Sequence, residues 1–260
     1  MKKNKFVLLG VFGVSALLAA GAFAQSAQKK AAAPSAATVL ETAEEIEVRK
    51  LVEPRLGDGA KAESVRKTNY SGLFEVRTGG DIIYTDRKAE FLFVGHVINA
   101  KTYENITKAR IDEVNKIKFA ELPLDLAMKV VKGDGKRVMA IFEDPNCGYC
   151  KRFRQTTLKE IDNVTIYTFM YNILSEDSAL KSKNIWCAPD RIKAWDDWMI
   201  ENKQPPTAAA NCANPNEKVS EFGRKLRISG TPTLFFADGS RLPGAVDTKM
   251  LESKFASVKQ

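Results

Sequence analysis

Cys147-Gly148-Tyr149-Cys150 is the segment of this chain best equipped for chemistry. An apolar run, Val138-Met139-Ala140-Ile141-Phe142, precedes the pair, and a helix-like segment follows it. A dithiol between a strand and a helix is the layout of a thiol–disulfide exchange site. Exchange proceeds by thiolate attack, so one sulfur must be ionised near neutral pH and exposed. Cys147 falls where the helix begins, facing unpaired backbone N–H groups and the positive end of the helix dipole, both of which favour the thiolate. Cys150, one turn deeper, suits the resolving thiol that breaks a mixed disulfide. Phe153, Leu158 and Ile161 continue its side of the helix toward a core. Lys151, Arg152 and Arg154 add positive potential and are expected to be solvated, contributing little. Glu143 and Asp144 are placed to handle protons for Cys150, but acids at a strand end are usually solvated, and solvated is the expectation here. The exchange requires no cofactor.

Two more cysteines, Cys187 and Cys212, complete the set of four. Zinc is the competing use of four cysteines. The second pair lacks the short C-x2-C spacing of a zinc ribbon, and the single histidine, His96, lies far upstream, where it reads as a plain sheet residue. Cys187–Cys212 is better read as a structural disulfide closing an internal loop, stabilising by roughly 3 kcal/mol on the loop-entropy account. No metal is expected. Gly230-Thr231-Pro232-Thr233 precedes the apolar run Leu234-Phe235-Phe236. A proline there fits an ordinary edge position in the trans form. A cis Thr231–Pro232 bond beside the dithiol is the sharper expectation, because it leaves the Thr231 backbone free to pair with an extended substrate.

These residues need a scaffold, and the C-terminal region supplies an alternation of β and α. Strands are expected over 138–142, 164–171, 233–237 and 241–243, and helices over 150–160, 216–226 and 248–258, with a largely helical block over 177–201. Strand–helix–strand, a helical insertion, then helix–hairpin–helix is a thioredoxin-like order. Upstream, Thr42-x-x-Glu45 predicts a capping box, and Pro54 stops the helix that follows. Three β-like runs cover 72–78, 81–85 and 90–99. So small a module holds little core of its own and calls for a partner surface. A polar helix over 104–118, with Ile106, Ala109, Val114 and Ile117 inward, joins the two halves.

The N-terminus bears on compartment. Lys2, Lys3 and Lys5, an apolar run from Phe6 to Ala20, and Ala22-Phe23-Ala24 make a secretory leader with Gln25 as the mature start. The apolar run falls short of the ~18–20 residues of a spanning helix. Residues 25–37 carry no apolar periodicity and read as a flexible lead-in. The formal net charge is +8. It is spread along the chain, which argues for solubility and against nucleic acid as a partner.

Beyond this, the chain resembles the DsbC/DsbG-type periplasmic thiol:disulfide interchange proteins, most closely the DsbC branch. The resemblance rests on Phe142 through Cys150, Ile185-Trp186-Cys187-Ala188 with Asp190, Ser229-Gly230-Thr231-Pro232, and Ile83-Tyr84-Thr85-Asp86. It implies an α+β N-terminal dimerisation domain (38–101), a linker helix (102–122), and an α/β thioredoxin-like domain with a helical insertion (123–260), after a leader (1–24) and lead-in (25–37). It further implies a V-shaped homodimer whose active sites face an apolar cleft, kept reduced by a membrane thiol reductant of the DsbD type and acting on misfolded exported proteins. By position, Cys147 is the attacking thiol, Cys150 the resolving thiol, Thr231-Pro232 the substrate-binding cis-proline loop and Cys187/Cys212 the structural bridge. The spacing of that last pair, with Pro205-Pro206 inside it, is slightly longer than the family pattern, and so is the lead-in.

Three functions compete on the sequence. An isomerase of non-native disulfides leads. A reductase of single cysteines or of a dedicated client, as in the DsbG branch, stays within redox chemistry. A dimeric holdase chaperone needs none. Replacing Cys147 by Ser separates them, because only holding survives it.

Overall fold

The computed structural model describes residues 40–57 and 59–258. The leader (1–24) and lead-in (25–37) lie outside the described residues. Among the described residues, no helix is long and apolar enough to cross a membrane.

Helix α1 (Ala43–Val52) begins with the expected capping box. Thr42 N–H donates to Glu45 Oε2 at 2.7 Å, and Glu45 N–H donates back to Thr42 Oγ1 at 3.3 Å. A 3-10 turn containing Pro54 ends it. Strands β1 (Ser64–Lys67), β2 (Phe74–Thr78), β3 (Asp81–Thr85) and β4 (Leu92–Phe93) form an antiparallel sheet in chain order. Val48 and Val52 of α1 pack on Val65, Phe74 and Val76 of that sheet. β1 carries no clear signal in the sequence, since Val65 is its only fully buried residue.

The run expected over 90–99 shrinks to two strand residues. The Asp86 carboxylate takes the N–H groups of Lys88 and Phe91 in a tight turn, and Gly95 (φ 146°) swings the chain away. Val97 N–H then goes to Thr107 Oγ1 instead of a neighbouring strand. His96 is therefore exposed and outside any strand, with Nδ1 in hydrogen-bond range of the Asn105 side chain. This corrects its reading as a sheet residue.

The connector is shorter than expected. Helix α2 (Ile106–Val114) is capped by Asn105 and lies on the N-terminal sheet. Tyr84 OH and Thr107 Oγ1 are 2.6 Å apart, and Arg110 Nε donates to Glu75 Oε1 at 3.1 Å. Ile117 is beyond the helix end; its N–H donates to Gly239 O, and its side chain joins the core of the second half. Position 239 admits no side chain, because a Cβ there would stand 1.8 Å from Ile117 O.

The second half holds a five-stranded sheet in the order β5-β7-β6-β8-β9, from β5 (Met128–Lys132), β6 (Arg137–Glu143), β7 (Val164–Met170), β8 (Thr233–Phe236) and β9 (Arg241–Pro243). β6 and β7 are parallel and the other pairs antiparallel. Period-2 alternation along β6 sends Met139 and Ile141 to one face and Ala140 and Phe142 to the other. The first face packs on Phe153, Leu158 and Ile161, as the sequence predicts, together with Leu251 and Phe255. On the second, Phe142 stacks on Phe169 with ring centroids 4.5 Å apart, beside Val219 and Phe235. β5 has no counterpart among the expected strands: Lys129 and Lys132 mask its alternation, which only its edge position permits.

The helices are α3 (Gly148–Gln155), α4 (Thr157–Glu160), α5 (Glu176–Trp186), α6 (Arg191–Glu201), α7 (Asn216–Lys225) and α8 (Thr248–Ser257). The helix expected over 150–160 is thus two, broken at Thr156, whose hydroxyl donates to Arg152 O at 2.8 Å. The expected thioredoxin-like order with a helical insertion is present, α5 and α6 being the insertion.

Candidate active site

β6 ends at Glu143, and Asp144 to Asn146 turn the chain into α3. Cys147 is the N-cap of α3, and its Sγ accepts the Cys150 N–H at 3.1 Å. Cys147 and Cys150 are free thiols, while Cys187 is bonded to Cys212. The Thr231–Pro232 bond is cis, and the Thr231 carbonyl oxygen lies 3.3 Å from Cys147 Sγ. Cys147, Cys150, Thr231 and Pro232 therefore meet in one place.

The two sulfurs sit in opposite electrostatic settings. Cys147 is pulled well below the ordinary thiol, to about 6, chiefly by its hydrogen bond from the Cys150 side chain and further by the backbone N–H groups of Cys150 and Tyr149. The Thr231 side chain lowers it as well, ahead of the backbone donors, while burial opposes the shift. Cys150 is pushed strongly up, first by burial, then by its bond to Cys147 and by the nearby Glu143 carboxylate. Iodoacetamide alkylation of the reduced protein should then follow one thiolate with a midpoint near pH 6, with Cys150 unlabelled until the protein unfolds. A midpoint in the ordinary thiol range near ~8.5 would remove the donors from the account.

Cys147 is less open than the sequence suggests, at 4% exposure, whereas Tyr149 is 73% exposed. Ile173 and Leu174, in the loop after β7, also expose apolar surface.

The acids and Arg154 depart most from expectation. Asp144, expected in solvent, is fully buried. It accepts from Asn146 N–H (2.8 Å), Ile173 N–H (2.9 Å), Leu174 N–H (3.0 Å) and Ser178 Oγ–H (2.7 Å). It thereby ties the turn before Cys147 to the loop after β7. Glu143 is also fully buried, and Arg154, expected on the surface, donates to its Oε2 from Nε (2.8 Å) and Nη2 (2.6 Å). Trp198 carries no sequence signal. Its Nε1–H donates to Pro145 O at 2.7 Å, and Lys151 Nζ stands 3.7 Å over its ring. Among the described residues, no group of three or more His, Cys, Asp or Glu could hold a metal ion.

A family model described as a thioredoxin-like domain matches residues 124–259, and one described as the disulfide bond isomerase protein N-terminal domain matches 26–108. The chain is 49% identical over 197 residues to the probable thiol:disulfide interchange protein DsbC of Bordetella parapertussis, covering 76% of this chain and 69% of that one. It is 28% identical over 191 residues to the thiol:disulfide interchange protein DsbC of Escherichia coli K12, covering 72% and 78%. Among solved structures, a disulfide interchange protein from Neisseria gonorrhoeae is 38% identical with a TM-score of 0.50, covering 54% of this chain and 99% of that one.

Proposed function

The chain belongs to the DsbC-type thiol:disulfide interchange proteins, and from that premise we propose that it is a periplasmic isomerase of non-native disulfides, with Cys147 as its nucleophile and Cys150 as its resolving thiol. The observation that carries this is the setting of the two sulfurs: Cys147 Sγ caps α3 and accepts the Cys150 N–H at 3.1 Å, while Cys150 is fully buried one turn deeper.

The Cys147 thiolate attacks one sulfur of a substrate disulfide, and the substrate's other sulfur leaves as a thiolate. A second substrate thiolate then attacks the sulfur joined to Cys147. Cys147 departs with the bonding electrons, the substrate holds a new disulfide, and no net electrons have moved. The low-lying Cys147 thiolate is a good leaving group, which favours this ending. If Cys150 attacks Cys147 instead, the substrate leaves reduced and the pair is oxidised. That outcome calls for a reductant, which we assign to a membrane dithiol donor. Thr231 and Pro232 are proposed to hold the substrate backbone, and Cys187–Cys212 to brace the insertion.

The partner surface is proposed to be a second copy, joined through the N-terminal sheet. β4 is an edge strand, and Phe91 (65%), Phe93 (47%) and Val94 (83%) expose apolar side chains along it. An uncovered apolar edge of this kind is a pairing surface. The double variant Phe91→Glu/Phe93→Glu should run as a monomer in light scattering where the parent runs as a dimer. A parent that is monomeric at micromolar concentration overturns the assignment.

The primary test is refolding of a scrambled, multi-disulfide substrate by the mature protein in a glutathione buffer. Recovery of native substrate activity supports the isomerase. No recovery, with Cys147 still exchanging readily with glutathione, turns the reading toward a reductase of single cysteines.

A further inference from the structure

The buried ion pair under α3 has no part in the chemistry described so far. Arg154 follows Cys150 by four residues, so the two side chains lie on the same face of α3, one turn apart. The guanidinium of Arg154 meets Glu143 on β6, Thr168 Oγ1 on β7 at 2.8 Å and, at 3.6 Å, Asp196 on α6. It also lies 5.1 Å from the Trp195 ring centroid. Glu143 is fully buried, and its second oxygen, Oε1, has no hydrogen-bond partner among the described residues. A buried carboxylate oxygen left unpaired is destabilising, since it has lost water and gained nothing in exchange. Stability alone gives no reason for it, because an apolar pair of similar volume is often as stable or more so.

We propose that the Glu143–Arg154 pair is a positioning element that holds Cys150 in its neutral thiol form and so lengthens the life of the mixed disulfide on Cys147. Arg154 supplies two hydrogen bonds that hold Glu143 as a carboxylate against the pull of burial, which pushes its pKa up. Arg154, one turn from Cys150 on the same face of α3, holds the carboxylate on that side of the helix, where its negative charge opposes the second one, the thiolate, that must form for resolution. The groups facing Cys150 and this pair are Cys147 at the head of α3, Glu143 from β6, Arg154 from α3 and Asp196 from α6; β7 presents only the neutral Thr168. Asp196 is half exposed and, through Arg154, ties the buried pair to the surface. A slow resolving step gives a substrate thiol time to attack first, which is the difference between rearranging a disulfide and reducing it. The inference rests on the assignment of Cys147 as attacking and Cys150 as resolving thiol.

The two steps separate in a stopped-flow reaction of reduced protein with dithiobis(nitrobenzoate). Cys147 thiolate attacks the reagent disulfide and releases one thionitrobenzoate. Cys150 then loses its proton to solvent and attacks Cys147 Sγ, forming the internal disulfide and releasing the second. Glu143→Gln should leave the first phase unchanged, speed the second about tenfold at pH 7, and lower its pH midpoint by about one unit, the equivalent shift. Because that substitution leaves Arg154 buried without its charge partner, the double variant Glu143→Met/Arg154→Leu provides a second test. It removes both charges at similar volume, a change buried pairs often tolerate, and should show a faster second phase than the parent, though less fast than Glu143→Gln, because the guanidinium's positive charge leaves with the carboxylate's negative one. A second phase that is slower in both variants overturns the proposal and makes Glu143 the acceptor of the Cys150 proton. An unchanged second phase in a folded variant overturns it too. If the parent protein shows no first phase, the assignment of Cys147 fails and the proposal falls with it.

Discussion

Cys147→Ser is expected to reduce the refolding of a scrambled substrate to the level of the buffer alone. A serine hydroxyl does not ionise near neutral pH, so the donors that α3 aims at position 147 have no anion to stabilise. The partner substitution should behave differently. Cys150→Ser keeps the nucleophile and its backbone N–H donors, so it should still rearrange disulfides when a substrate thiol completes the cycle. Mixed disulfides that only Cys150 resolves should accumulate on it, visible as covalent adducts in non-reducing gels. The holdase alternative predicts suppression of client aggregation that survives both changes, since Tyr149, Ile173 and Leu174 stay exposed in each. If Cys147→Ser left rearrangement intact, the whole site assignment would fail. Equal loss in Cys147→Ser and Cys150→Ser would point to a reductase, since both sulfurs are then obligatory.

Asp144→Ala should destabilise the chain by about 3–4 kcal/mol, read from urea unfolding at fixed protein concentration. The substitution removes a buried acceptor from four donors at once: the N–H groups of Asn146, Ile173 and Leu174 and the hydroxyl of Ser178. Water reaches these positions poorly, so the donors are left short of partners. The functional effect should exceed what unfolding explains. Cys147 N–H donates to Asp144 O at 3.0 Å, and the same turn is held by Trp198 through Pro145 O. Loosening it frees the N-cap geometry on which the Cys147 thiolate depends, and the alkylation midpoint should rise toward the ordinary thiol range. Asp144→Asn keeps the shape but turns an amide N–H2 toward donors, so it should fall between the parent and Asp144→Ala. Asp144→Ala with parental stability would mean that the loop after β7 is held by other contacts.

Much of this arrangement is legible without coordinates, and the legible parts are local. A capping box needs two residues three apart, and Thr42 with Glu45 forms it. An apolar run of strand length ending at a CxxC gives β6 and the start of α3, and with them the electrostatics of Cys147. Helix α7 and the β8–β9 hairpin fall where the sequence pattern over 216–226, 233–237 and 241–243 places them. The failures are local signals that are weak or ambiguous. β1 and β5 lie at sheet edges, where lysines and arginines line one side and the apolar alternation reduces to one or two residues. The run over 90–99 looks continuous in composition, but its strand hydrogen bonds are intercepted by Asp86 and Thr107.

Charged residues mark the boundary most sharply. Sequence alone determined a paired dithiol between a strand and a helix on a thioredoxin-like scaffold, because spacing, helix capping and apolar runs act over a few residues. Only the tertiary structure decided that Glu143, Asp144 and Arg154 are buried structural and electrostatic elements instead of solvated charges. An acid at a strand end is solvated or buried according to what the fold sets against it. For Asp144 that is Ile173, Leu174 and Ser178, some thirty residues along the chain, and for Glu143 it is Arg154, brought across by the turn into α3. Desolvation depends on what arrives from elsewhere, and no spacing rule carries that information.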